Sequence, residues 1–488
     1  MDSMCPTCGR QTDLWGRCPA CGVSTTKKAV IRDALGMIGI LIGVLIVMGS
    51  LISRFSGNPL RIVQTLGIGQ PGLYEVTRAS KNLPIPKDPQ ETISPQQIGE
   101  LRERFENREF ESLNLIFEHY RQDLQDDFNN EYGFKDAFRI FHTTLPSYEG
   151  RFEDWIENSP AHFAPYLARA HYYFAKGWEA WGPGGSEGKT QEQFKLRWQN
   201  FQKAIDDINT ALAINEKLLT AYTMRINISA TMAQEEQLRK WAKEAVELFP
   251  HSFLIRSEYI RVISPRWSGS YRKMENFAKS AEAYVDMNPY LACLYGFIYI
   301  DQAQECWSRK KYDQAVALYT RATSFGDYWY FYTKRAEAFY VHLKDLDKAL
   351  ADVEHSIYLR PTIERSYQLR SRIHFEQEDF EAAADDLQTA RHLNPNDAEI
   401  RRWQEWAANH LLDQGHRLFE TDLNRAVEKY KYALMFNSEN PEAFYWRAVA
   451  YWHQNRLDLA LKDLRQACDL GHKEACDRYH QAKKQRVN

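Results

Sequence analysis

The feature that most constrains this chain is a spacing. The segments "KKYDQAVALYTRATSFGD", "KDLDKALADVEHSIYLRP", "EDFEAAADDLQTARHLNP" and "NRLDLALKDLRQACDLGH" align on one small residue each: Ala315, Ala349, Ala383 and Ala460. The steps from Ala315 to Ala349 and from Ala349 to Ala383 are equal. A fifth segment, "TDLNRAVEKYKYALMFNS", puts Ala426 a longer step after Ala383 and one regular step before Ala460. Four residues beyond each alanine stands a packing residue (Tyr319, Val353, Leu387, Tyr430, Leu464), and seven beyond stands a small one (Ala322, Ser356, Ala390, Ala433, Ala467). Positions i, i+4 and i+7 share one face of a helix. A small residue there lets a second helix cross closely. One such helix pair cannot bury its apolar face alone, so copies of it must stack.

Pro361 and Pro395 follow helix ends in this register. A two-helix unit with a regular step of about 34 residues resembles the tetratricopeptide repeat. The pattern continues upstream with less regularity. "KAIDDINTALAINEK" carries Ala204 and Ala211, Ala245 recurs one regular step after Ala211 with Pro250 behind it, and Leu238 replaces the alanine. "LRERFENREFESLNLIFEHYRQDL" begins the array. "NEYGFKDAFRIF" and "SPRWSGSYRKMENFA" resemble an uncharacterised bacterial family that carries such repeats. The expected fold is all-α: an irregular helical-repeat region over 98–290, then tetratricopeptide repeats over 291–488 with a C-terminal capping helix.

Such repeats wind into a superhelix with a concave binding surface, and the resemblance lines that surface with the first helix of each pair. By register the groove positions are Trp307, Phe331, Lys334, Arg365, Gln368, Arg372, Tyr445 and Trp452. Aromatics beside basic residues suit a protein or peptide with acidic or C-terminal carboxylate groups. The same rings could stack on sugars, or serve only as packing between helices. The Lys-and-Asn carboxylate clamp of chaperone-binding relatives needs Asn one turn after the Lys. That position is Ala338, so the clamp is not carried over.

The N-terminus reads differently. Cys5, Cys8, Cys18 and Cys21 form C-x2-C-x9-C-x2-C, each pair in a C-P-x-C-G knuckle. Four thiolates aimed at one point suit tetrahedral zinc in a closed, structural site. A segment this short has no core of its own, so the metal supplies its folding energy. The pattern resembles short zinc ribbons at the N-termini of bacterial membrane proteins, giving a ribbon over 1–26. Nearby Arg10, Arg17, Lys27 and Lys28 also allow a nucleic-acid reading, but membrane-flanking charge accounts for Lys27 and Lys28, and a net charge of -3 gives no polyanion-binding signature.

Ala34 to Ile52 is 19 residues without a charge, about 28 Å as a helix and close to the hydrocarbon thickness. A transmembrane helix is expected over 34–53. Basic residues gather on its N-terminal side, which puts the N-terminus in the cytoplasm of a bacterial inner-membrane protein and the repeats in the periplasm or otherwise outside the cytoplasm. Gly39 and Gly43 form G-x-x-x-G, a candidate homodimer seam. Residues 54–97 hold six of the 18 prolines. This is expected to be an extended Pro-rich linker, with a weak strand signal near Gly72 to Thr77.

Cys468 and Cys476, in "ACDLGHKEAC", resemble pairs that bridge successive helices in periplasmic helical-repeat proteins. The alternative is two buried thiols acting as small apolar residues. Cys293 and Cys306 are expected on one helix, too far apart to pair. "GPGGSEGKT" fails the phosphate-loop spacing, because five residues separate Gly182 from Gly188 and the motif allows four before its Gly-Lys pair. Acidic pairs such as Asp206-Asp207 and Asp385-Asp386 read as exposed faces of second helices. No residue constellation supports catalysis. The expected role is a membrane-anchored scaffold for a protein or peptide in envelope assembly, secretion or signalling; the alternative is a carbohydrate-binding component of polysaccharide export.

Overall fold

The computed structural model describes residues 73–77, 79, 83–84, 86, 93–126, 131–182 and 188–487. The four N-terminal cysteines, the apolar run 34–52 with Gly39 and Gly43, and most of the linker lie outside the described residues. Among the described residues, no helix is long and apolar enough to cross a membrane, and no metal-binding cluster occurs.

The first helix among the described residues, α1 (Pro95–Glu106), begins three residues earlier than the linker boundary drawn from sequence. Ser94 explains its start. Its hydroxyl accepts from the Gln97 amide at 3.2 Å, the Gln97 side chain accepts from the Ser94 amide at 2.7 Å, and Pro95 takes the first helical position. Three helices follow: α2 (Phe110–Asp126), the short α3 (Glu131–Ala137) and α4 (Glu149–Asn158).

Eight helix pairs come next. They are α5 (Phe163–Trp181) with α6 (Gln191–Ile214), α7 (Leu219–Thr231) with α8 (Glu235–Leu248), and α9 (Phe253–Val262) with α10 (Tyr271–Ala281). Then α11 (Gly296–Ser308) pairs with α12 (Tyr312–Thr323), α13 (Trp329–Ala338) with α14 (Leu346–Leu359), and α15 (Glu364–Glu376) with α16 (Phe380–Leu393). The last are α17 (Ala398–Leu418) with α18 (Leu423–Phe436) and α19 (Pro441–His453) with α20 (Leu457–Asp469), closed by α21 (Lys473–Val487). Ala315, Ala349, Ala383, Ala426 and Ala460 are all fully buried at their helix crossings. The longer step before Ala426 has a simple cause: α17 is 21 residues long, where α15 and α19 have 13.

Within a pair, the turn between helices repeats too. Lys310, Lys344, Glu378 and Asn455 all take positive φ, between 52° and 61°. Several second helices then start on an aspartate cap, with Asp345, Asp379 and Asp422 accepting from the amide three residues on.

Four Arg–Asp pairs hold first helix to second. Arg169–Asp207, Arg335–Asp352, Arg370–Asp386 and Arg447–Asp463 are bidentate, with N–O distances of 2.7–2.9 Å. Each aspartate lies three residues after the crossing alanine. This corrects the reading of Asp207 and Asp386 as solvent-facing. Both are buried, because the helix face next to the crossing has no water to offer and a guanidinium takes its place.

Three further expectations change. Residues 73–77 form no strand. Cys293 lies in a 3-10 helix, Pro289–Tyr295, that leads into α11, so it does not share the α-helix of Cys306; both thiols are free and buried. Finally, described residues of the linker dock on the repeats. The Val76 amide donates to the Tyr299 hydroxyl at 3.1 Å, and the Thr77 amide to Glu275 Oε1 at 2.5 Å. The Asp327 amide donates to the Pro86 carbonyl at 3.0 Å. Gly326, at φ +142°, leaves room for the Pro86 ring, which a Cβ would meet at 2.7 Å.

Residues 131–143, which open with "EYGFKDAFRIF", form a brace across the array. One side enters an aromatic cluster. Phe138 packs on Phe117 at 4.2 Å between ring centres and stacks on His171 at 5.6 Å, and Phe141 meets Phe105 at 5.0 Å. The other side engages the turns that precede the first helices of later repeats. Glu131 accepts from the Ser252 hydroxyl at 2.6 Å and the Leu254 amide at 3.1 Å. The Tyr132 and Tyr328 hydroxyls lie 3.3 Å apart, and Lys135 meets Glu258 at 3.1 Å. Asp136 pairs with Arg360 and accepts from the Thr362 hydroxyl at 2.5 Å. Arg139 pairs with Glu364, and Asn396 donates to Thr143 at 2.9 Å. Helix α1 also reaches α16, where Arg102 donates to the His392 carbonyl at 2.8 Å.

Candidate functional groove

The first helices α11, α13 and α15 line a concave pocket of about 640 Å³. Five of the residues placed in a groove by sequence register meet here: Trp307, Lys334, Arg365, Gln368 and Arg372. The other three do not line it. Phe331 is fully buried, with its ring in the space left by the missing side chain of Gly296; a Cβ there would sit 2.5 Å from it. Tyr445 is buried as well, stacked on His472 at 4.3 Å and donating its hydroxyl to Glu474 at 2.6 Å. Their aromatic bulk is used between helices, which register alone does not reveal. Trp452 is exposed on α19, away from this lining.

A short π-helix, Phe339–Leu343, continues α13 and closes one wall. It brings Tyr340 and Val341 into the lining. Such turns recur at functional sites. At the rim, Trp307 stands edge-on to His342, 4.4 Å between centres, while His342 stacks on Tyr312. Nothing in the repeat pattern signals the π-turn.

The charges are partly matched. Glu337 holds Lys334 at 2.8 Å and Arg365 at 2.7 Å. Burial alone would raise its carboxyl, but these two cations outweigh it and keep the pKa below the usual range. Arg372 lies 5.3 Å from the centre of the Trp403 ring. Two donors have no acceptor: Arg372 Nε and Gln368 Nε2, one turn apart on α15 and both shielded from solvent. Gln368 is only 7% exposed. A buried N–H left unpaired costs about 1–3 kcal/mol, and neither donor meets an acceptor among the described residues.

Near the C-terminus the structure joins Cys468 to Cys476 in a disulfide, tying the end of α20 to α21 across the turn at Gly471.

Two family models match separate parts of the chain. Residues 407–475 match the tetratricopeptide repeat family, and residues 208–283 match a domain of unknown function (DUF4034). The chain is 33% identical over 119 residues to Hsc70-interacting protein 1 of Drosophila melanogaster, which is 24% of this chain and 31% of that protein. It thus spans about a third of the length of the curated relatives it matches. Among solved structures it is similar to YrrB, described as a TPR protein with an unusual peptide-binding site. That likeness has 21% identity and a TM-score of 0.25, over 41% of this chain and 96% of that one. It is also similar to MamA, with 18% identity and a TM-score of 0.24, over 37% and 93%. The chain carries a tetratricopeptide-repeat region, in which the match over residues 407–475 covers α18, α19 and α20 entirely.

Proposed function

We propose that this chain is a non-catalytic scaffold that takes a protein or peptide segment into the groove formed by α11, α13 and α15. The observation that carries this reading is the pair of unmatched donors, Gln368 Nε2 and Arg372 Nε, in a concave wall that also holds Trp307, Lys334 and Arg365. A backbone carbonyl or carboxylate of an extended segment would satisfy them. The name of the Hsc70-interacting relative supports a protein partner. That it would be read by the Lys-and-Asn clamp is disfavoured, since Ala338 is fully buried and leads into the π-turn.

We place the scaffold at a bacterial inner membrane through residues 34–53, with zinc on Cys5, Cys8, Cys18 and Cys21 in the cytoplasm and the repeats in the periplasm. The charge-free run, the thiol spacing and the Cys468–Cys476 disulfide support this. Envelope assembly, secretion or signalling are the fitting settings.

The test is a displayed peptide library panned against the full chain and against a Gln368→Ala/Arg372→Ala variant. Peptides carrying carboxylates should enrich on the first and be lost on the second. Equal enrichment on both removes the groove from the reading. Enrichment on a glycan array, with none in the peptide library, would favour the carbohydrate alternative.

A further inference from the structure

A second cavity, about 490 Å³, lies between the brace and the helices it spans, and shares no lining residue with the groove. Its apolar walls are aromatic, with Phe174, Trp178, Phe297, Trp329 and Tyr330. Four cations line it: Lys135, Arg139, Arg261 and Arg360. Only two carboxylates do, Glu258 and Glu364.

The pairing leaves a surplus. Arg139 is matched by Glu364, and Arg360 by Asp136 behind the wall. Lys135 and Arg261, however, share the single carboxylate of Glu258, at 3.1 and 3.2 Å. That carboxyl is held at about 2: burial would raise it, and the two cations more than reverse this. Glu258 therefore stays ionised, and one positive charge remains over. Arg261 is the group that can use it. Its side chain is 52% exposed, it gives one of its five N–H donors to Glu258, and its guanidinium lies 5.9 Å from the centre of the Tyr330 ring. Thr220 and Thr223 add hydroxyls to the lining.

The space is open to solvent, and the surplus charge on Arg261 is half-exposed beside the aromatic walls. Small-molecule sites fall in the range of roughly 300–1,000 Å³, with aromatic walls and a few convergent polar groups. We propose that this chamber binds a small organic anion with a flat apolar body, such as an aromatic carboxylate, its negative charge on Arg261 and Lys135 and its ring among the aromatic walls. This site is independent of the groove.

The test uses 4-fluorobenzoate as probe and the purified full chain, followed by fluorine NMR and calorimetry. One saturable site is expected. Arg261→Gln should weaken it about tenfold, the loss of one charge-assisted hydrogen bond. Trp178→Leu, at an exposed wall position, should weaken it too. Arg372→Gln in the groove should leave it unchanged. Absence of saturable binding to the folded wild-type chain overturns the proposal. So does binding that Arg261→Gln and Trp178→Leu both leave intact in folded protein.

Discussion

Asp136 and Arg360 are 224 residues apart in sequence and form a fully buried ion pair, the carboxylate on α3 and the guanidinium after α14. The Arg360 guanidinium also lies 3.9 Å from the centre of the Tyr132 ring. Removing one partner strands the other charge away from water. Asp136→Ala is expected to cost about 3–5 kcal/mol. Arg360→Met in the same chain should recover part of that loss. Thermal unfolding of the two variants and the double variant checks both statements.

The ion pairs of the repeats should rank by burial. Arg370 and Asp386 have side chains 24% and 8% exposed, whereas Arg239 and Glu235 are 68% and 69% exposed. Arg370→Met should destabilise by about 3 kcal/mol and Arg239→Met by less than about 0.5 kcal/mol. Equal effects in denaturant unfolding would contradict this account of how first and second helices are held.

His171 makes the protein acid-sensitive. Burial, with His142 and Lys135 nearby, holds its imidazole at about 3, against 6.5 ordinarily. Below pH 6.5 the unfolded chain takes up this proton and the folded chain does not, so stability falls as the pH is lowered toward 3. Between pH 7 and pH 5 the loss from this group is about 2 kcal/mol. His171→Gln should remove that share from a series of melting temperatures against pH.

The left-handed turns predict a gain. Lys344 and Glu378 hold φ at 52° and 61°, a region that costs a side-chain-bearing residue about 1 kcal/mol or more relative to glycine. Lys344→Gly and Glu378→Gly should each raise stability by about 0.5–1 kcal/mol. A fall in melting temperature would show that these side chains hold the turn in some other way.

Reduction should act locally. The Cys468–Cys476 bridge closes a short loop, worth about 2.5 kcal/mol in chain entropy. Adding a reductant should speed hydrogen exchange through α21 while α11 to α16 keep their protection.

The repeat fold is legible in the sequence because its determinants are local. Ala349 and Ala383 announce their crossings within one helix, and the groove residues Lys334, Arg365, Gln368 and Arg372 follow from the same register. Register misplaces Phe331 and Tyr445, because burial of a ring depends on what faces it, such as the bare backbone of Gly296. The same reason hides Asp207 and Asp386, although Arg370 and Arg447 precede Asp386 and Asp463 at one fixed interval and so mark the pairing. The brace is out of reach of such reading. Residues 131–143 meet Ser252 and Asn396 through contacts that span 121 and 253 residues.

A stack of repeats normally folds from neighbour to neighbour and tolerates losing its end units. The brace changes the order of events for this chain. Residues 131–143 leave the ribosome long before Arg360, Glu364 and Asn396, and until those arrive Asp136, Arg139 and Thr143 have no counterparts. Assembly of the central repeats is thereby tied to synthesis at least as far as Asn396, and a product cut short at Tyr340 would lack the turns at 360–364 and 394–396 that complete the brace.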